Sequence, residues 1–564
     1  MSLLNIALAQ LNLTVGDFSG NASKIIDAAR DAHARGADIL LTPELSLAGY
    51  PPEDLLLRPS FLQKCDVALL QLARDLAVFR GLHIVVGHPS PMMGAALPPH
   101  IADNFVRSGG NVRATNRATL IYEGQILSHY DKRMLPNDGV FDERRYFQPG
   151  HQTFIFALKG VKMAFLICED VWYSEPSAQA VAAGAQLILV SNASPYHIGK
   201  EAQREAVLQV RAQETGVPHI YVNSVGGQDE LIFDGGSFAV NQQGQVKLRL
   251  PQFVENVALL SYDDGQLLTQ PAIPVHTYAQ REAQIYAALV LGVRDYVNKN
   301  GFSSVIIGLS GGVDSALVLA IACDALGKEK VTAVMMPSRY TADISQIDAR
   351  QMALNLGVRY EEIAIAPLVD AFSASLVNHF PHQTQTDNQE DVTAENIQAR
   401  VRGVLLMALA NKHGSIVLTT SNKSELAVGY CTLYGDMAGG FALIKDIPKM
   451  MVYRLCEWRN TNGEIIPTRV LTRAPSAELR PNQTDQDSLP PYEILDAIVQ
   501  AYVEKNASVD EIIAQGYPEK DVLRVVRLIK INEHKRRQSA IGIRISARAF
   551  GRDWRYPISA KFSE

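Results

Sequence analysis

Apolar residues along this chain recur in two rhythms. Short runs rich in Ile, Val and Leu, bounded by turn residues, read as strands at LNIALAQLN (3–11), ADILLTPEL (37–45) and LHIVVGHP (82–89). Between them, apolar positions three and four apart predict helices at SKIIDAARDAHARG (23–36), which stops at a glycine, and at CDVALLQLARDLAVFRG (65–81). In TLIYEGQILSHYDK (119–132) a Glu-Gly pair separates two alternating runs and predicts a hairpin. Further strands are expected at TFIFAL (153–158), KMAFLIC (162–168), QLILVSNAS (186–194) and PHIYVNSV (218–225), with a helix over 200–215. Such mixing predicts a layered α/β fold, with sheets covered by helices.

Residues 262–280 carry three turn or breaker signals and no periodicity. They mark a linker, set at 266–280, between a domain over 1–265 and a second over 281–564. The second begins with a helix over 281–301, and SVIIGLSGGVDSALVLAIACDALG followed by KVTAVMMP predicts a βαβ unit. GSIVLTTSNKSE (414–425) reads as a further strand running into polar residues. The polar stretch 377–396 is expected to be mobile, and the helix NIQARVRGVLLMALAN follows it. No internal repeat links the two halves.

At 564 residues the chain exceeds a single hydrophobic core. With 47% hydrophobic and 20% charged residues it has ordinary globular composition. No run approaches a membrane span, and MSLLNIALAQ lacks the basic start of a signal peptide, so a cytoplasmic enzyme is the expectation. The net charge of −6 gives no global basic field for nucleic acid. Cysteines 65, 168, 323, 431 and 456 show no CxxC pair, which argues against a disulfide framework or zinc knuckle.

In GLSGGVDSA (308–316) a strand ends, small residues follow and a helix begins. Such a loop presents free N–H groups to an anion. It lacks G-K-[ST], so it is not the nucleotide-hydrolysing P-loop. The run Gly308, Leu309, Ser310, Gly311, Gly312, Val313, Asp314 and Ser315 resembles the loop of ATP pyrophosphatases. Three further blocks, 419–446, 474–496 and 531–546, are similar to those of the NAD synthetase family, and the resemblance covers nearly all of 281–564. It implies a Rossmann-like domain with a parallel sheet that adenylates the carboxylate of deamido-NAD⁺ with ATP and Mg²⁺ and lets ammonia displace AMP. It also implies that Asp314 and Glu425 hold the metal, that Thr420 contacts ATP, and that Asn396, Glu425 and Lys535 meet deamido-NAD⁺. Taken singly, Thr420 also fits a strand-end hydroxyl, Asn396 a helix cap, Glu425 a solvated helix charge and HKRR a surface patch.

Such a reaction consumes ammonia, and thiolate attack on glutamine would supply it through a thioester. FLICEDV (165–171) ends a strand at Cys168, which alone also fits a buried thiol. No histidine stands in a papain-like context; His151 and His197 are merely present. Glu44 ends a strand as Cys168 does, so the two are expected at one edge of a sheet, and Lys132 follows a hairpin. The blocks around Glu44, Lys132, Cys168 and VSNASPYHIGK resemble the nitrilase superfamily, in particular the glutaminase domain fused to NAD synthetases, over about 3–265. The resemblance implies an αββα sandwich that forms homo-oligomers. Glu44 would be the base, Cys168 the nucleophile and Lys132 the oxyanion donor, with Glu143 orienting Lys132. Glu169, Ser194 and Lys200 occupy positions that meet glutamine. Asp138 stands where many relatives have Tyr; either Phe141 fills that wall or Asp138 pairs with the ammonium group. Asp170 is expected to hydrogen-bond the turn that presents the thiol.

Two other functions compete with this one. A different product, as in GMP or asparagine synthetases, is disfavoured by NKSELAVGY, SLPPYE and HKR. A non-catalytic N-terminal scaffold is disfavoured by intact Glu44, Lys132 and Cys168.

Overall fold

In the computed structural model, which describes residues 3–91, 114–269, 275–380 and 392–562, alternation along the first strands divides two cores. These strands are β1 (Leu4–Gln10), β2 (Ile39–Leu41), β3 (His83–Pro91), β4 (Ala114–Tyr122) and β5 (Gln125–Asp131). Leu4, Ile6, Leu8, Ile39, Leu41 and Val85 enter one core, whereas Ala7, Ala9, Leu40, Ile84 and Val86 enter the other. Each fully buried large aliphatic side chain contributes roughly 1.5–3 kcal/mol.

The chain then forms β6 (Ile155–Leu158), β7 (Val161–Ile167), β8 (Leu187–Asn192), β9 (His219–Asn223), β10 (Val225–Gln228) and β11 (Leu231–Asp234). The unit closes with β12 (Phe238–Val240), β13 (Val246–Arg249), β14 (Asn256–Asp263) and β15 (Gln266–Thr269). One sheet runs β15-β14-β1-β2-β3-β4-β5 and the other β13-β12-β9-β8-β7-β6. The first core lies between them, joining Leu4, Ile6 and Leu8 of β1 to Phe165, Ile167, Leu189 and Val222, so the thiol at Cys168 ends a strand that lines the sandwich interior. Helices Phe18–Ala34 and Pro59–Leu76 cover the outer face of the first sheet through Ile25, Leu62, Cys65 and Leu69. Helices Ser174–Ala182 and Lys200–Thr215 pack against the second sheet. This is the expected αββα arrangement.

Local chemistry explains the departures from expectation. Strand β2 stops at Leu41 instead of continuing to residue 45, because Pro43 has no N–H for the ladder. The hairpin turn at Glu123 (φ 46°) and Gly124 (φ 83°) forms as expected between β4 and β5. An equivalent pair, Asp264 (φ 42°) and Gly265 (φ 83°), joins β14 to β15. Residues 266–269, read as linker, are therefore a strand, and residues 270–274 lie outside the described ones.

The chain forms two compact units, Met1–Ala279 and Gln280–Glu564. The second unit opens with helix Arg281–Lys299 and carries β16 (Val305–Gly308), β17 (Val331–Met335), β18 (Arg359–Glu362), β19 (Ile416–Thr419) and β20 (Phe441–Ala442). These strands form a parallel sheet in the order β18-β17-β16-β19-β20. Helix Val313–Leu326 follows β16 directly, so the glycine-rich loop sits at the carboxyl end of a central strand. Of the stretch expected to be mobile, residues 381–391 lie outside the described ones.

Candidate active sites

Pro43 turns the chain away from β2, and Leu45 follows at φ 49°, which leaves Glu44 in a tight turn. Cys168 occupies the end of β7 in the other sheet, so Glu44 and Cys168 do not share one sheet edge. They are brought together at corresponding ends of two stacked sheets, with β8 linking them: the Ala193 N–H donates to Glu44 Oε2 at 3.0 Å. Lys132 follows β5, is fully enclosed, and donates to Glu44 Oε1 at 2.7 Å and Glu143 Oε1 at 2.9 Å. Glu143 in turn accepts the Tyr50 hydroxyl at 2.9 Å.

Cys168 adopts φ 45°, a left-handed conformation that costs a non-glycine residue about 1–3 kcal/mol. Asp170 holds this turn. Its carboxylate accepts the Ile167 N–H at 2.9 Å and the Tyr130 hydroxyl at 2.8 Å, and also the N–H groups of Arg133 (3.0 Å) and Met134 (2.8 Å). The second acid after the cysteine thus ties the thiol's turn to the strand end that carries Lys132.

Burial and then Glu44 push the Cys168 thiol well above its ordinary range, with Lys132 opposing. The resting group is a thiol, so attack requires a base at the moment of reaction. Burial works against charge on Lys132, but Glu143 and Glu44 outweigh it and hold the ammonium well up. Burial raises Glu143, against Lys132 and the Tyr50 hydroxyl.

Glu169 is pushed up to about 7 by burial, with Asp138 raising it further and Lys132 and Lys200 opposing. These groups therefore share one electrostatic environment. Lys200 Nζ lies 4.1 Å from the centre of the Trp172 ring, one turn beyond the thiol. Asp138 is exposed, while Phe141 packs on the outer core. Ser194 is buried beside Ala193; its N–H donates to Asn223 Oδ1 at 2.9 Å and its Oγ accepts from Arg204 Nε at 3.0 Å.

In the second unit the loop Gly308–Asp314 lines a cavity of about 290 Å³, together with Thr420, Glu425 and Lys449. Gly311 (φ 81°) has no alternative, since a Cβ there would meet the Ser345 carbonyl at 2.3 Å. Ser315 braces the loop from behind, its Oγ accepting the Ser310 N–H at 3.2 Å and donating to the Gly312 carbonyl at 3.0 Å. Lys449 Nζ meets Asp314 Oδ2 at 2.5 Å and Glu425 Oε1 at 3.5 Å, and Asn422 Nδ2 donates to Asp314 Oδ1 at 2.9 Å. Asn422 also caps helix Lys423–Val428 in a reciprocal box with Glu425.

Burial and Asp314 push Glu425 up, with Lys449 opposing. Two oxygen-donor carboxylates beside a phosphate-sized loop fit Mg²⁺, which takes one or two carboxylates plus substrate phosphates. Among the described residues no group of three or more His, Cys, Asp or Glu is placed to hold a metal ion.

Asn396 and Lys535 do not line the cavity. Asn396 is no cap: the helix starts earlier, Thr393–His413, and Asn396 lies within it, its Oδ1 accepting the Thr432 hydroxyl at 2.8 Å. Lys535 Nζ donates to the carbonyls of Gly429 (2.8 Å) and Cys431 (2.9 Å), flanking the cavity residues Tyr430 and Thr432.

Sequence reasoning missed Tyr50, Asn422 and Lys449. Lys449 had a signal: it opens helix Lys449–Asn460, where a cation opposes the helix dipole.

The fold and these sites define a class: a carbon–nitrogen hydrolase unit joined to a nucleotide-binding α/β unit. Family models agree, with Carbon-nitrogen hydrolase matching residues 5–267 and NAD synthase matching 285–539. The chain is 49% identical to the glutamine-dependent NAD(+) synthetase of Xylella fastidiosa, covering 99% of this chain and 98% of that one. It is 45% identical to that of Thermotoga maritima, covering 100% of both. It resembles the solved glutamine-dependent NAD+ synthetase of Acinetobacter baumannii in complex with ADP, at TM-score 0.76 and 43% identity over 99% of this chain and 98% of that one. The chain belongs to the glutamine-dependent NAD(+) synthetase family.

Proposed function

We propose that the chain amidates deamido-NAD⁺ to NAD⁺ with ATP, using ammonia from glutamine, and releases AMP, pyrophosphate and glutamate. One observation carries the reading: a buried Glu44–Lys132 pair beside Cys168 and a glycine-rich phosphate cradle at Asp314 occur in one chain of this family. Such a ligase would use glutamine as amido donor in the last step of making NAD⁺.

In the N-terminal unit, residues 1–265 as the glutaminase domain, Glu44 takes the Cys168 proton while sulfur attacks the glutamine amide carbon. The Lys132 ammonium stabilises the oxyanion, and Glu44 passes the thiol proton to the amide nitrogen as the C–N bond breaks, so that collapse to a thioester expels ammonia and leaves Glu44 a carboxylate again. Glu44 then removes a proton from water, which attacks the thioester; the C–S bond breaks, glutamate is freed, and Glu44 returns the proton to the Cys168 sulfur. Glu143 keeps Lys132 in place. Glu169, Ser194, Lys200 and Asp138 are assigned to the α-ammonium and α-carboxylate groups of glutamine.

In the unit over 281–564, the loop 308–315 and Thr420 hold ATP. The A. baumannii relative is solved in complex with ADP, which supports nucleotide binding by a chain of this family. Asp314 and Glu425 are assigned to Mg²⁺, which when bound offsets phosphate charge as pyrophosphate leaves. The deamido-NAD⁺ carboxylate attacks the α-phosphorus, and ammonia displaces AMP from the acyl adenylate. Asn396, Glu425 and Lys535 are assigned to the dinucleotide, the first and last acting at the cavity's flank.

No helix of the described residues is long and apolar enough to cross a membrane. A cytoplasmic location and a homo-oligomer assembled through the N-terminal unit belong to the same reading, and light scattering on the purified chain tests the latter. The reaction is tested with amide-¹⁵N glutamine: the label should enter the NAD⁺ carboxamide with equimolar AMP, pyrophosphate and glutamate. Release of ADP instead of AMP would contradict the reading.

A further inference from the structure

We propose that Asn116 is a positioning residue of the thiol site, tying Glu44 to Lys132 and leaving Glu44 Oε2 as the oxygen that receives the thiol proton. The proposal rests on the glutaminase reading above. Asn116 lies on β4, 0% exposed. Its Nδ2 donates to Glu44 Oε1 at 2.7 Å, the oxygen that also accepts Lys132 Nζ at 2.7 Å. Its backbone carbonyl accepts the Lys132 N–H at 2.8 Å. One residue thus holds the base by its side chain and the cation by its main chain.

The amide's orientation follows from the carboxylate. Turned over, it would set two acceptor oxygens against each other. In the observed orientation Asn116 Oδ1 has no partner among the described residues. A fully enclosed amide with an unpaired oxygen is costly to keep, and space-filling alone does not require one.

The consequence lies at Glu44. Oε1 is occupied by two donors, one of them charged, whereas Oε2 accepts only the Ala193 N–H among the described residues. A lone pair on Oε2 remains available, and the fixed Oε1 prevents the carboxylate from rotating it away. Along β4 the neighbours Thr115 and Arg117 alternate to the opposite face, where Arg117 pairs with Asp131 at 2.7 Å near His88 and His129. The titratable groups around the Glu44 carboxylate are Lys132, Glu143, Tyr50, Cys168 and Glu169.

Two variants of similar shape test this in the full chain, read by glutamate release and by ammonium-dependent NAD⁺ synthesis. Asn116→Leu removes the donor. It should lower kcat for glutamine about a hundredfold, since a misplaced group costs that much. Its KM should stay within about twofold, because ground-state binding is untouched, and ammonium-dependent synthesis should persist. Asn116→Asp donates only while protonated, so its hydrolysis should fall as pH rises through the new carboxyl's titration, a limb that wild type lacks. Wild-type kcat in Asn116→Leu, or a wild-type pH profile in Asn116→Asp, would overturn the proposal. If Asn116→Leu also loses ammonium-dependent synthesis through misfolding, the Asn116→Asp profile decides. Cys168→Ala run in parallel separates the two claims: continued hydrolysis there would overturn the thiol reading itself.

Discussion

Lys132 Nζ and Glu44 Oε1 stand 2.7 Å apart with both side chains fully enclosed, although 88 residues separate them in the chain. Removing the cation leaves Glu44 and Glu143 as enclosed carboxylates with no counter-charge. Breaking such a pair from one side costs about 3–5 kcal/mol. Lys132→Met should therefore lose glutamine hydrolysis and lower the urea midpoint of unfolding. Retained hydrolysis would remove Lys132 from the mechanism.

Tyr50 donates to Glu143 Oε1 at 2.9 Å, and this bond favours the ionised carboxylate. Without it Glu143 protonates at higher pH, so its hold on Lys132 is lost earlier as pH falls. Tyr50→Phe should shift the acid limb of the glutaminase pH profile upward while leaving the ammonium reaction in place. A limb that stays put, or moves down, would detach Tyr50 from Glu143 function.

Glu169 is pushed up to about 7, chiefly by burial. Below that pH it is neutral and cannot pair with the glutamine ammonium group; above it, it is an anion. Wild-type kcat/KM for glutamine should accordingly rise with pH through about 7, and Glu169→Gln should flatten that limb. A limb unchanged in Glu169→Gln would assign the titration elsewhere.

The sequence and the structure meet unevenly in this protein. Glu-Gly at 123–124 specified a hairpin because both positions need a left-handed backbone, and the small residues at 308–316 specified a strand–loop–helix for the same kind of local reason. The sheet membership of Glu44 and Cys168 was not local: each ends a strand, but the stacking that brings two sheets' ends together is absent from either segment. Asn116 and Tyr50 were invisible because an Asn within an alternating strand and a Tyr before proline carry no pairing information on their own. Lys449 was legible in principle, as a cation at the helix end that disfavours it, but its partner Asp314 lies 135 residues upstream.

Lys449 bridges Asp314 and Glu425 in the cavity of the second unit. Lys449→Met removes the charge at the phosphate loop and should lower synthesis from either nitrogen donor about 10²–10³-fold, the scale for one electrostatic donor. Chelation of Mg²⁺ should likewise stop synthesis and weaken nucleotide binding measured by calorimetry. Full synthesis in chelator would contradict the assignment of Asp314 and Glu425 to the ion.

On this mechanism Cys168 releases from glutamine the nitrogen that the synthetase reaction uses. This is tested by comparing glutamine with ammonium as donor in Cys168→Ala, at matched ATP and deamido-NAD⁺. NAD⁺ formation from ammonium should persist and that from glutamine should disappear. Equal NAD⁺ formation from glutamine in the variant and the wild type would contradict it.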